Sequence, residues 1–144
     1  MRGRLVNALY TEAMVLADEA RAYFDHYGRT ERDPLDPLTR VTFSCESLKV
    51  TTRLMHVLAW LLTERAVEMG QMSPEQGTSS QRRLGEAAAS DPAVVAMLPA
   101  QAVQLIEAAQ DLYMRVRRLD EEPPFPTPAA SPAHSLFDRL ERAF

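Results

Sequence analysis

The stretch Leu38-Thr-Arg-Val-Thr-Phe-Ser-Cys-Glu-Ser-Leu-Lys-Val-Thr-Thr-Arg-Leu-Met-His-Val-Leu-Ala-Trp-Leu-Leu-Thr-Glu-Arg-Ala-Val-Glu-Met69 decides the fold. Apolar or small residues recur at Val41, Cys45, Leu48, Thr52, Met55, Ala59, Leu62, Ala66 and Met69, in alternating steps of four and three. That spacing keeps one face of an α-helix apolar, and neither glycine nor proline interrupts it. Asp36 before Pro37 reads as an N-cap followed by proline in the first turn, and Gly70 as the residue just past the end. A second row, Val50, Leu54, Val57 and Leu61, runs on the same helix. A helix apolar on two sides needs covering on two sides. The first row is expected to face the bundle. The second row, with Trp60, is expected to form a dimer or cargo interface. On that reading, Leu54→Asp or Val57→Asp abolishes dimerisation and leaves the bundle helical.

Two further long helices flank this one. Helix one is expected from about Arg4 to Tyr27, ending at Gly28, with the row Val6, Leu9, Ala13, Leu16, Ala20, Tyr23 and Tyr27. Helix three carries Leu98, Ala102, Leu105, Ala109, Leu112, Val116 and Leu119, with Pro99 in its first turn, where a missing N–H costs little. Between helices two and three the pattern weakens. Ser73-Pro-Glu-Gln76 resembles a capping box, and Asp91-Pro92 is a second candidate turn. The fold class is therefore all-α: an antiparallel three-helix bundle over residues 1–120 with a long central helix two. A proline-rich, disordered tail is expected over residues 121–144. It ends in a short amphipathic segment whose Leu136, Phe137, Leu140 and Phe144 share a helical face. Ten residues are too few for a stable lone helix, so those four are expected to dock on another surface.

Composition narrows the function. The chain has 144 residues, 46% of them hydrophobic, 25% charged, and a formal charge of −4, which argues against a general nucleic-acid binder. Arginine replaces lysine almost throughout, Lys49 being the exception, as a GC-rich genome would produce. The longest apolar run, Val57 to Leu62, is far too short for a membrane span, and the N-terminus lacks the apolar core of a signal peptide. One cysteine cannot form an internal disulfide. Together these point to a cytoplasmic protein.

Catalytic signatures are missing. His26, His56 and His134 lie far apart, with no ligand spacing among them, and no glycine-rich phosphate loop or nucleophile elbow occurs. No cofactor or metal is expected. Cys45, on the main row, reads as a buried core thiol, Glu64 and Glu68 as a solvated pair. Arg115, Arg117 and Arg118 complement the helix-three dipole. Lys49, Arg53, His56 and Trp60 form a strip on helix two in which the indole either covers arginine stems or anchors another chain.

The segment Glu46 to Gln76 resembles the RcdA family, regulators of CtrA degradation in alphaproteobacteria. Thr52-Arg-Leu-Met55, Ala59-Trp-Leu-Leu62, Tyr10-Thr-Glu-Ala-Met14 and Glu19-Ala-Arg-Ala-Tyr23 carry the likeness, which covers about residues 5–85. The resemblance implies a helical homodimer without enzymatic activity. It implies an adaptor that helps the ClpXP protease receive substrates such as CtrA-type cell-cycle regulators, once a CpdR-type response regulator has engaged ClpX. Two other readings compete. One is a helical transcription regulator presenting Arg82 and Arg83 to DNA. The other is an all-α enzyme, which would need arginines on interior rows.

Overall fold

The computed structural model describes residues 2–77 and 83–122, and among them every regular element is helical. The elements are α1 (Arg2–Ala22), a π-turn (Tyr23–Tyr27), α2 (Gly28–Arg32), α3 (Pro37–Glu68), α4 (Pro74–Gly77), α5 (Pro92–Val95) and α6 (Ala100–Glu121). At about 1.5 Å per residue, α3 is roughly 48 Å long against roughly 31 Å for α1. It packs on both α1 and α6, which touch each other less. The expected all-α bundle with a long central helix is what forms.

The ends of α3 follow from local chemistry. The Asp36 carboxylate accepts the Thr39 N–H at 3.2 Å and the Thr39 hydroxyl at 2.5 Å. Those bonds hold the Asp36 carboxyl below the usual carboxylate range. At the other end Gly70 has φ +75°. The Gln71 N–H reaches the Ala66 carbonyl and the Gly70 N–H reaches that of Val67, so two last-turn carbonyls are satisfied. The capping box at α4 closes both ways: the Ser73 N–H donates to Gln76 Oε1 at 2.8 Å, and the Gln76 N–H to Ser73 Oγ at 3.2 Å.

Helix one does not stop at Gly28. There the Gly28 N–H bonds to the Tyr23 carbonyl, five residues back, and the chain stays helical to Arg32. A π-turn inserts one residue and turns the following positions by about 100°. Tyr27, the last member of the expected row, is therefore 71% exposed, and Gly28 is buried in its place. Glycine is required because a Cβ would lie 2.8 Å from the Tyr23 carbonyl oxygen and 3.1 Å from Phe43 Cζ. Tyr23, Phe24 and Phe43 fill the space around it, with ring centroids 5.1 to 6.0 Å apart.

One direction differs from an antiparallel bundle. Arg2 pairs with Glu64 at 3.2 Å and Tyr23 lies against Phe43, so α1 is antiparallel to α3. Arg115 pairs with Glu12, and the far end of α1, through Glu19 and Tyr23, shares a depression with Gln101 and Leu105 at the start of α6, so α1 is antiparallel to α6 as well. Helices α3 and α6 consequently run parallel, and Trp60 Nε1 donates to Asp120 Oδ1 at 2.8 Å at their matching ends. A parallel pair needs a crossover that returns the chain to its starting level. Residues 83–91 supply it as an extended strap. From Arg83, bonded to Asp120, to Ser90, bonded to Glu46, seven residues can reach about 24 Å at most. The 14 residues of α3 between Trp60 and Glu46 rise about 21 Å.

Candidate functional site

The core holds the row on α3 that was expected to be an interface. Val50, Val57 and Leu61 are 0% exposed, Leu54 3% and Trp60 4%. They pack with Phe43 of the same helix, with Val6, Leu9, Ala13 and Leu16 of α1, and with Ala102, Leu105, Ala109, Leu112 and Val116 of α6. Each such side chain contributes about 1.5–3 kcal/mol by leaving water. A surface role for these five residues is thereby corrected: they are covered within one chain, and an aspartate at 54 or 57 would stand in the core.

The longer row is the outer one. Val41 is 59% exposed, Leu48 67%, Met55 65% and Leu62 50%, and Met69 and Leu38 are exposed beyond them. Cys45, expected in the core, is exposed among them. Thr52 and Ala59 lie between the large side chains and are exposed too. The result is an apolar stripe along the back of α3, about 42 Å from Val41 to Met69. Two depressions border its lower half. One, of about 510 Å³, is lined by Arg32, Arg40, Val41, Ser44, Cys45 and Leu48. The other, of about 370 Å³ between α1 and α3, is lined by Ala17, Ala20, Phe24, Leu54, Met55 and Leu58, among others. Monomeric proteins seldom leave so long a contiguous apolar face to solvent.

The strip Lys49, Arg53, His56 and Trp60 has a different task. Arg53, 2% exposed, donates to the Ala88 carbonyl at 2.7 Å and to Ser90 Oγ at 2.8 Å. Ser90 in turn donates to Glu46, itself 3% exposed, at 2.5 Å. Lys49 bridges Glu46 and the Ala89 carbonyl, both at 3.1 Å. Gly85 sits against the His56 ring with no room for a Cβ, and Tyr113 donates to its carbonyl at 2.6 Å. These bonds fix the strap over the α3–α6 seam. Burial pushes the Arg53 guanidinium below its ordinary range, against the opposing charge of Glu46. The indole of Trp60 lies under Arg2, 5.9 Å from ring centroid to guanidinium carbon, as well as bonding Asp120.

The remaining candidates sort simply. An arginine does occupy the interior, since Arg53 is buried although no apolar row contains it. It is bonded to the strap through the Ala88 carbonyl and Ser90, and it lines none of the three depressions bordered by α1, α3 and α6. Glu64 is not a solvated partner of Glu68 but pairs with Arg2. Arg115 bonds Glu12 and Asp111, and Arg117 bonds Glu121. Burial, then Glu31 accepting from its hydroxyl at 2.5 Å, raises the Tyr23 phenol above its usual range. Among the described residues, no three His, Cys, Asp or Glu side chains group as metal ligands would, and no helix is long and apolar enough to cross a membrane. Arg82, Leu136, Phe137, Leu140 and Phe144 lie outside the described residues.

Among the described residues the architecture is an all-α bundle built on α1, α3 and α6, closed by a polar-latched strap and carrying an apolar outer face. The chain belongs to the RcdA family: the family profile described as "Protein of unknown function (DUF1465)" matches residues 1–144. It is similar to the crystal structure of RcdA from Caulobacter crescentus CB15, with 34% identity and a TM-score of 0.66. The likeness covers 81% of this chain and 88% of that one. Among curated proteins nothing matches.

Proposed function

We propose that this chain is a non-enzymatic adaptor in regulated proteolysis, acting on protein partners in the cytoplasm. It would help deliver substrates of the CtrA type to ClpXP after a CpdR-type response regulator has engaged ClpX. The observation that carries this reading is the fold and sequence likeness to RcdA over most of both chains. The outer face of α3 supports it independently, because an adaptor needs apolar surface that its own core does not consume. A homodimer belongs to the same proposal, on a surface other than Val50, Leu54, Val57, Trp60 and Leu61. The division into a bundle over 1–120 and a tail over 121–144 with docking side chains Leu136, Phe137, Leu140 and Phe144 belongs to it too.

The test is reconstitution. Purified ClpXP, the response regulator and a CtrA-type substrate are mixed with and without the full chain, and substrate loss is followed over time. The proposal expects faster loss only when chain and response regulator are both present. An unchanged rate across all mixtures would overturn it. A salt-sensitive shift of DNA fragments by the chain would favour a transcription regulator instead.

A further inference from the structure

We infer that the C-terminal segment 135–144 of the same chain docks on the lower half of the α3 stripe, over Cys45, Leu48 and Met55. This goes beyond the adaptor reading and stands without it. Three observations carry it. First, the stripe is uncovered by anything else in the described bundle: Leu48 and Met55 are about two-thirds exposed, with the small Cys45 and Thr52 between them. Second, the two depressions beside the stripe flank this stretch, one reaching Cys45 and Leu48 and the other Met55. Each is large enough for an aromatic side chain, and the segment's sequence offers Phe137 and Phe144, with Leu136 and Leu140 at helical spacing.

The third observation is reach. Helix α6 ends beside Trp60, where Asp120 accepts the indole proton. From Glu122 the 12 residues 123–134 can extend about 37 Å. Cys45 lies 15 residues back along α3, about 23 Å, on the far side of a helix about 10–12 Å across. The path is comfortably within that length. Tethering then makes docking a unimolecular event at an effective concentration of about millimolar.

Cys45, the single cysteine of the chain, is the reporter. Its labelling rate by a chromogenic thiol reagent is measured for the native full chain and for a full-length Leu140→Asp, Phe144→Asp variant. Two protein concentrations about a hundredfold apart are used, with the urea-unfolded chain as the reference. Docking predicts labelling of the native chain at least about fivefold slower than that of the variant, equally at both concentrations. Equal rates in native and variant chains would overturn the inference. Protection that grows with concentration would also overturn it, because a second copy would then be the cover. Substrate delivery to ClpXP can succeed or fail under either result, so the two proposals fail separately.

Discussion

Arg53 and Glu46 are charged, and both are almost fully covered. Removing charge from water is costly unless hydrogen bonds replace those to water. Here Ser90 stands between them, taking a bond from the guanidinium and giving one to the carboxylate, while Lys49 adds a second cation to Glu46. The strap is thus held by a group of polar atoms in which Arg53 bonds the Ala88 carbonyl and Ser90, while Glu46 is bonded by Ser90 and Lys49. Arg53→Ala is expected to lower the unfolding free energy by about 3 kcal/mol, through the two lost guanidinium hydrogen bonds to the strap. Equilibrium urea denaturation followed by circular dichroism measures it, and a change below about 1 kcal/mol would mean that the network is not a stabilising latch. Nothing in the sequence around Arg53 signals this burial. Its partners are backbone carbonyls and a serine 35 to 37 residues away, which helical periodicity does not report.

At the scale of elements, local signals were legible and relative placement was not. The N-cap at Asp36, the Schellman-type end at Gly70, the Ser73–Gln76 box and the Asp91 cap all depend on residues within a few positions of each other. So do the apolar rows of helices one and three. Two features escaped for the opposite reason. The π-turn shifts the helical phase at Tyr27, and its motive is the packing of Gly28 under Phe43, which belongs to another helix. The choice between the two apolar rows of α3 depended on which side the strap and α6 would cover. The true core row is interrupted in sequence by Glu46, Lys49 and Arg53, so it looked shorter than the uninterrupted outer row. A β-branched side chain at Gly28 would meet both the Tyr23 carbonyl and the Phe43 ring. Gly28→Val is expected to cost on the order of 2 kcal/mol, measured by urea unfolding. A neutral result would show that the π-turn relaxes to an ordinary α-turn without loss.

For the whole molecule, the account rests on α3 having a core face and an outer face, with the outer one kept apolar along its length. A bundle whose core is already complete gains nothing in stability from Val41, Leu48, Met55 and Leu62, so their exposure is material for contacts with other segments and other chains. The family likeness says which kind of contact to look for, and the tail's reach says which one begins within the chain itself. The most direct measurement is the unfolding free energy of Val57→Asp against Met55→Asp, by urea denaturation at low micromolar concentration. The account predicts that Val57→Asp loses more than about 4 kcal/mol or fails to fold, because an unpaired carboxylate would enter a fully closed core. Met55→Asp should stay within about 1 kcal/mol of the parent, the small loss being its contact with the docked tail. The reverse order, with Met55→Asp unfolded and Val57→Asp stable, would mean that the two faces of α3 are exchanged and would contradict the account.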